Sequence, residues 1–560
     1  MSDTPTNNFC TWSPLDNTGV TLNNGNLDFG YAGANDCGGT FALSSGKWYW
    51  EIECRTNIGT GGQPLAHGIH NASVTSDFRK QAIWFYTDEI SAGVVRRYAN
   101  NSVAASVSIP SALRAIDIGD YLQVAYDADS GEVWFAVNNT WMDGSGGTSG
   151  NPGSGSNPVF TLPDTSIPMT PWRSHAGLGW EGFTNFGQRD FQYTPPTGFK
   201  ALNTSNLPVP TIKDGSEYFD TVLWTGNQTA RTISMNSAFT PDFIWIKNRT
   251  SGYNHSLQDI VRGYGPSTKL NSNTTTQENA ANTEPQAGYV DSVAAGSFDI
   301  DASATATWYH NNLNSNAYVG WCWDAGGTGS SNTAGTITST VSANPTAGFS
   351  IVSYTGNVTA GATVGHGLGV APEMIIVKNR DTSGYQWPVY HKDVGATKYL
   401  YLSATNAAAT YTNYWNNTAP SSTVFTIGTD NAVNASGQDM IAYCFAEVEG
   451  YSKFGSYTGN NSSDGPFVFC GFKPRWIMRK ATGDTSNWVI LDTARDTYNE
   501  TDNMLLPNTS GTESDGSDID ILSNGFKMRS AALNGSTPYI FAAFAENPFG
   551  GSGVSPATAR

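Results

Sequence analysis

The sequence predicts an all-β protein: one β-sandwich at the N-terminus, followed by three related β-rich domains. Three observations carry this. A short box occurs three times, as W-T-G-N at Trp224 to Asn227 and as Y-T-G-N at Tyr354 to Asn357 and Tyr457 to Asn460. Several stretches alternate or cluster apolar and aromatic residues over strand lengths, such as Lys47 to Glu53 and Phe243 to Ile246. The composition, with 60 Gly, 17 Trp and only 14% charged residues, lacks the Ala, Leu, Glu and Lys runs that long helices need.

The repeat organises the chain. Pro241, Pro372 and Pro474 each follow the box Asn by 14 or 15 residues, and Lys247, Lys378 and Lys480 stand six places beyond them. Between Pro and Lys lies a short run rich in Ile, Trp, Val and Met, suited to a strand covered on both faces. Burying each such side chain is worth roughly 1.5–3 kcal/mol, so this strand is the expected core of every copy. The Thr-Gly-Asn tripeptide is read as a turn that tolerates left-handed backbone. The Pro, with fixed φ and no amide donor, is read as a strand's first position. Each copy closes on an apolar run with small residues, at Tyr318 to Trp323, Met440 to Phe445 and Tyr539 to Phe544. The resulting division is a sandwich over 1–200, a linker over 201–214, a first copy over 215–330 and a second linker over 331–346. The second and third copies occupy 347–450 and 451–550, with a tail over 551–560. The second and third copies abut, which predicts a stiff junction in a rod-like array.

The N-terminal part differs from the array. Tyr121 to Asp127 and Glu132 to Asn138 flank a Gly-containing turn and predict a hairpin. The ordered motifs G-K-W-Y-W-E-I-E, G-D-Y-L-Q-V-A-Y-D and S-G-E-V-W-F-A-V-N-N-T-W resemble the SPRY domain, a bent two-sheet β-sandwich. That resemblance implies recognition through loops at one end of the sandwich, without chemistry. The closing motif, Asn185 to Gln188 with Tyr193 to Lys200, is similar to the form carried by tail proteins of marine bacteriophages. The array resembles tandem domains of marine phage tail fibres, through G-H-G-L-G-V-A-P-E-M-I-I-V-K, W-V-I-L-D-T-A-R-D and A-A-F-A-E-N-P-F. The Gly/Ser/Asn stretch from Met142 to Asn157 reads as a long mobile loop, and it lacks the spacing of a calcium loop.

Composition narrows the function classes. A formal charge of −18 repels phosphate backbones and anionic lipid, so neither nucleic-acid binding nor membrane insertion is expected. The first ten residues are polar and no apolar run approaches a membrane span, so the expectation is a soluble chain made in the host cytoplasm. Six cysteines show no paired spacing, and Cys322 and Cys444 read as buried free thiols. The seven histidines form no His-x-x-x-His set. Val364 to Gly369 is Gly-rich without the Lys-Ser/Thr that grips phosphate, and Gly147 to Asn151 only approaches a nucleophile elbow. No metal or other cofactor and no catalytic residue is expected. Acidic clusters at Glu513 to Asp520 and at Glu447 with Glu449 leave a glycosidase as a third-ranked reading, solvated loop being the first. The pairs Asp259–Arg262 and Asp492–Arg495 have no counterpart at Tyr390 to Asp393, which argues for a local ion pair.

Aromatic residues, at 12%, are the more informative class. Flat apolar faces beside short polar groups are what sugar surfaces require. Trp141, Trp172, Trp180, Trp308, Tyr309, Tyr411 and Trp415 lie in loop-like sequence and are the candidate receptor contacts, with rim packing as their structural alternative. Together with the phage resemblance they give the expectation of a virion tail fibre or receptor-binding protein. It would attach to a host cell-surface glycan or protein, bind other tail proteins and assemble with other copies of itself, most simply as a homotrimer. Repeated weak sites along a rod would act through avidity. A non-adhesive virion fibre or decoration protein is the alternative.

Overall fold

The computed structural model describes residues 7–554 and 557, apart from 18, 31–34, 56–64, 73–80, 88–92, 115, 176–180, 279–286, 303–306 and 552–553. Strands dominate, and α-helix among the described residues is confined to single turns at Thr412–Trp415 and Asn431–Asn434. The chain forms two compact units: Met1–Val209 with Gly550–Pro556, and Pro210–Phe549 with Ala557–Arg560.

The first unit is a two-sheet β-sandwich. The predicted hairpin pairs Leu122 with Val137 through Asp127 with Glu132, and Lys47–Cys54 pairs on its other side. Asp127 closes the turn by accepting the amides of Asp129 and Ser130 and by pairing with Lys47 at 3.0 Å. The second sheet faces this one, with Phe85 and His67 packed 5.5 and 5.6 Å from Phe135. The Met142–Asn157 stretch is not the loose loop its composition suggests. The Asp143 carboxylate accepts the amides of Ser145, Gly147 and Ser149 at 2.8, 2.9 and 3.1 Å and the Ser149 hydroxyl at 2.6 Å. These bonds, the Ser149 hydroxyl foremost, hold its pKa down to about 2. Small residues serve here because the chain folds around a carboxylate.

The second unit contains the three copies, each built on a four-stranded antiparallel sheet of one order: first strand, closing strand, Pro-led strand, following strand. The first copy runs Phe219–Thr225, Ala317–Trp323, Phe243–Asn248, Ser256–Asp259, and the third Ser452–Thr458, Pro538–Pro548, Phe472–Ala481, Val489–Asp492. The second has the same order in Phe349–Thr355, Asp439–Phe445, Met374–Asn379 and Pro388–His391, inside a longer sheet. A smaller sheet covers one face of each: Ile244, Ile246 and Cys322 pack beneath it in the first copy, Ile375, Val377 and Cys444 in the second. The opposite faces meet. Phe243, Trp323, Met374, Phe445, Trp476 and Phe544 belong to one continuous buried cluster. The copies are therefore arranged about a common centre, and the expectation of a rod of self-contained domains gives way to a single body.

Contacts between copies repeat in a ring. The Lys378 ammonium donates to Thr275 O of copy 1, Lys247 to Ser510 O of copy 3, and Lys480 to Thr405 O of copy 2, each at 3.2 Å. Tyr443 of copy 2 donates to Asp259 of copy 1 at 2.8 Å, and Trp321 of copy 1 to Asp492 of copy 3 at 3.0 Å. In the third seam His391 of copy 2 donates to Phe541 O at 3.4 Å. Asp259–Arg262 and Asp492–Arg495 are local ion pairs at 2.6 Å, as their spacing suggests, and they are also the sockets of the seams.

Two local readings are corrected. The box glycines are required for close approach, not for left-handed backbone. A Cβ on Gly226, Gly356 or Gly459 would lie 2.1, 2.3 or 2.0 Å from the carbonyl oxygen of Leu313, Ala435 or Gly535. The left-handed residue falls one place past the box Asn, at Gln228, Val358 and Asn461. Buried Asn312, Asn434 and Asn534 clamp the turn, the first two by accepting the amides of Asn227 and Asn357, the third by donating to the Asn460 side chain. Pro474 lies inside its strand, at a register shift against Pro538–Pro548, where the missing donor costs least. All six cysteines are buried thiols that form no disulfide.

Gly356→Ala should destabilise the second unit by about 1–3 kcal/mol, since the opposing atom is backbone and cannot swing aside. A lower thermal midpoint for that variant, with no comparable change for Gly252→Ala, whose backbone is not left-handed and whose Cβ would meet its nearest neighbour at an ordinary 3.5 Å, checks the close-approach reading. Acid should also weaken the fold. Burial pushes His67 and His70 down to about 3 and His391 to about 4. Between those values and 6.5 the unfolded chain binds more protons than the folded one, so stability is lost as pH falls through that window. Melting at pH 7.5 and pH 4.5 should show a clearly lower midpoint in acid.

Candidate recognition surfaces

The second copy's sheet extends beyond the shared four strands, adding Lys398–Tyr401 and Ala409–Thr410 on one side. That extension gathers tyrosines. Tyr399 and Tyr401 stand two apart on a strand, and Tyr411 and Tyr414 three apart around a helical turn, so each pair shares a face. Ring centroids of Tyr399 lie 4.7 Å from Tyr401, 4.8 Å from Tyr414 and 6.0 Å from Tyr411, and Tyr411 lies 4.9 Å from Tyr414. Tyr414 is buried as the base, and the other three are half-buried. The hydroxyls are fixed: Tyr411 donates to Asp430 at 2.9 Å, and those of Tyr401 and Tyr414 are bonded at 2.8 Å. Burial pushes the Tyr401 phenol up to about 12, and the bond to Asp430 raises that of Tyr411. The patch is thus neutral, aromatic and hydroxyl-rich, with the acidic Asp430 and the Asn413 amide at its rim.

A second, smaller surface is the half-buried pair Tyr253 and Tyr309 of the first copy, stacked at 4.3 Å and 4°. Asn254 and Asn316 lie nearby in sequence, the former accepting from Asn273 and the latter donating to Ser251.

Of the residues singled out in sequence, Tyr309 and Tyr411 belong to these two surfaces. Trp141 is half-buried against Tyr49 at 6.4 Å and donates to Asn139. Trp172, Trp308 and Trp415 are corrected from surface to interior. Trp172 is 0% exposed and stacks on Trp84 at 4.0 Å, a strand residue where Thr and Pro neighbours suggested loop. Trp308 is held by a left-handed backbone inside the clamp segment, its carbonyl accepting from Tyr318. Trp415 packs on Tyr390 at 6.0 Å beneath the tyrosine patch. Trp180 lies outside the described residues. Tyr399, Tyr401 and Tyr253 went unmarked, although the Tyr-x-Tyr and Tyr-x-x-Tyr spacings signal the first two.

Glu513 and Glu447, which head the two acidic clusters, serve as counter-ions. Glu513 bridges Arg249 of copy 1 at 2.7 Å and Arg495 of its own copy at 2.9 Å, which keeps its carboxyl below the usual range. Glu447 is held by Lys453 and Lys392. Among the described residues no group of three or more His, Cys, Asp or Glu is placed to hold a metal ion.

No curated protein matches the chain. Among solved structures, it is similar to the SPRY domain of human HERC1 at 16% identity, covering 33% of this chain and 99% of that one, with a TM-score of 0.23. It is also similar to the TRIM65 PSpry domain (13% identity, 31% and 89% covered, TM-score 0.20) and to the carbohydrate-binding module CBM66 from Bacillus subtilis (11% identity, 32% and 93% covered, TM-score 0.20). One family model, described as a domain of unknown function, DUF7483, matches residues 214–548, the span of the three-copy body. The chain belongs to the DUF7483 family.

Proposed function

We propose that this protein is a surface-binding component of a phage virion, a tail fibre or receptor-binding protein, and that it engages a host-surface glycan through the tyrosine patch of its second copy. The observation that carries the binding class is the patch itself: half-buried rings with fixed neutral hydroxyls, an amide and a carboxylate supply both stacking faces and hydroxyl partners. The phage setting rests on the tail-protein resemblance of the sequence motifs. Among its described residues the body offers one such patch per chain, so avidity would come from several chains on a particle and not from repeats along one chain. A non-adhesive virion role is the second reading, favoured by the half-buried Arg249–Glu513–Arg495 bridge between the first and third copies, which serves mechanical closure.

The purified chain should be retained on host cells and on their extracted surface polysaccharide. Tyr399→Ala with Tyr411→Ala should weaken retention about tenfold or more while cooperative melting of the body is retained at a somewhat lower midpoint, because each ring contact is worth about 0.5–1.5 kcal/mol. Wild-type protein that washes off both supports would sink the adhesive reading. Release of reducing sugar from the polysaccharide would replace it with an enzymatic one.

A further inference from the structure

The three copies share one sheet order, so each one's outermost strand can be compared with the others. In the second copy the outer edge of Phe349–Thr355 is filled: Ser339–Asn344, drawn from the linker between copies, pairs antiparallel along it, Ser342 opposite Ile351 and Thr340 opposite Ser353. Ser330–Asn332 pairs outside that strand, and Ile337 bridges to Val364 of the small sheet. The corresponding strand of the third copy, Ser452–Thr458, is the terminal strand of its sheet, with its first residue bridged on the outer side by Val448.

The hydrogen-bond phase shows which groups this edge presents. Gly459 N donates to Thr537 O, and Ala545 N to Tyr451 O, so the odd-numbered residues between them exchange bonds with Pro538–Pro548. Phe454, Ser456 and Thr458 therefore turn their amides and carbonyls outward, matching Ile351, Ser353 and Thr355 of the filled copy. Ser456 and Thr458 are exposed, and Phe454 N has only a 3.4 Å approach from Glu447. Native edges are usually blunted by a free lysine or a proline. This strand has no proline, and Lys453 is drawn onto Glu447 at 2.5 Å. The end strand of the adjoining small sheet, Phe467–Phe469, carries two half-buried phenylalanines. The first copy differs, because Thr221 N is taken by Asp220, Thr221 O by Arg475 and Asn236, and Thr225 O by Arg231.

We propose that the edge Ser452–Thr458 is a docking site for an extended segment of a partner protein, added as an antiparallel strand. The partner segment has the chemistry that the linker supplies to the second copy: about six uncharged residues alternating Ser or Thr with Val or Ala. Backbone bonds supply the attachment, and the half-buried phenylalanines supply apolar contact to one face of the incoming strand. This site lies on a different copy from the tyrosine patch and stands or falls separately from glycan binding.

The probe is a peptide with the sequence of residues 337–344, titrated into the full chain by calorimetry, with amide exchange followed in parallel. Saturation at one peptide per chain, with slowed exchange at Ser456 and Thr458, is expected. Ser456→Pro and Thr458→Pro each remove an outward donor without touching a bond to Pro538–Pro548, and each should weaken binding at least tenfold in a chain that still melts cooperatively. No saturation up to about 1 mM peptide, a level that any useful strand addition exceeds, overturns the proposal. So does undiminished binding by both proline variants. A peptide-independent dimer that Ser456→Pro abolishes would overturn the partner in favour of a second copy of this chain.

Discussion

Everything in the second unit depends on one constraint: the Pro-led strand of each copy is apolar on both faces. In a strand, neighbours point to opposite sides, so Phe243 and Trp245 look one way while Ile244 and Ile246 look the other. The copy's own small sheet can cover only one of those sides. The remaining face exposes Phe, Trp and Met to water unless another copy supplies a matching surface. Three copies closing around a centre satisfy all three faces at once, and an open array would leave at least one of them bare. The shared core is thus a consequence of the two-sided pattern, and the molecule achieves within one chain the threefold closure that a fibre analogy assigns to separate chains.

Polar groups at the seams follow from that closure. The inward face of each Pro-led strand ends in a lysine, which reaches a carbonyl of the neighbouring copy where no water competes. Burial pushes Lys247 and Lys378 down to about 7 and Lys480 to about 8, and carbonyl acceptors suit either form of the amine, since both retain donors. The seams are not equivalent. Glu278 joins Arg262 to Arg380, and Glu513 joins Arg495 to Arg249, but the seam between the second and third copies has Thr482 where the others have arginine. That seam relies on single bonds to carbonyls from His391, Lys480 and Trp488, on backbone bonds from Ala408 N to Thr482 O and Ser486 N to Thr405 O, and on the Lys453–Glu447 ion pair beside the joining chain. Its joining chain is also the shortest, passing from Phe445 to Ser452, so less closure entropy needs to be offset there.

Much of this architecture was legible in the residues, and the gaps have physical causes. The box, the Pro-led strand and the closing run mark three copies correctly, because backbone geometry demands the same residue types each time. The cause assigned to the box glycine was wrong because left-handed backbone and close approach select the same residue, and only the opposing Leu313, Ala435 and Gly535 carbonyls distinguish them. What lies against the second apolar face could not be read, since periodicity reports that a face is buried and is silent about the partner. Trp172, Trp308 and Trp415 misled because their Asn, Thr and Pro neighbours look like surface loop. In the fold those neighbours cap, clamp and turn the chain around a buried ring. The tyrosine patch was half visible, with Tyr411 marked and Tyr399 and Tyr401 passed over as ordinary strand residues.

The placement of the patch bears on how such a body acquires function. Core and seam positions are fixed by three-way packing, so a change in one copy is felt by the other two. The outer margin of the second copy carries that burden in part: Leu400 lies in the shared core and Tyr401 O accepts from Trp488 of the third copy, while the rings of Tyr399, Tyr401 and Tyr411 pack on the second copy's own cluster. The second copy has been extended on both margins, by Ser339–Asn344 and Ser330–Asn332 on one side and by Lys398–Tyr401 and Ala409–Thr410 on the other, while the first and third copies stop at four strands. The tyrosine cluster lies on one of these extensions, at a place where the first and third copies carry single bridges, at Leu270 and Leu505. A repeat constrained in this way does not multiply a binding site by three. It supplies a rigid frame on which one copy can carry an addition that the other two lack, and the mismatch between filled and unfilled margins is where the copies become chemically distinct.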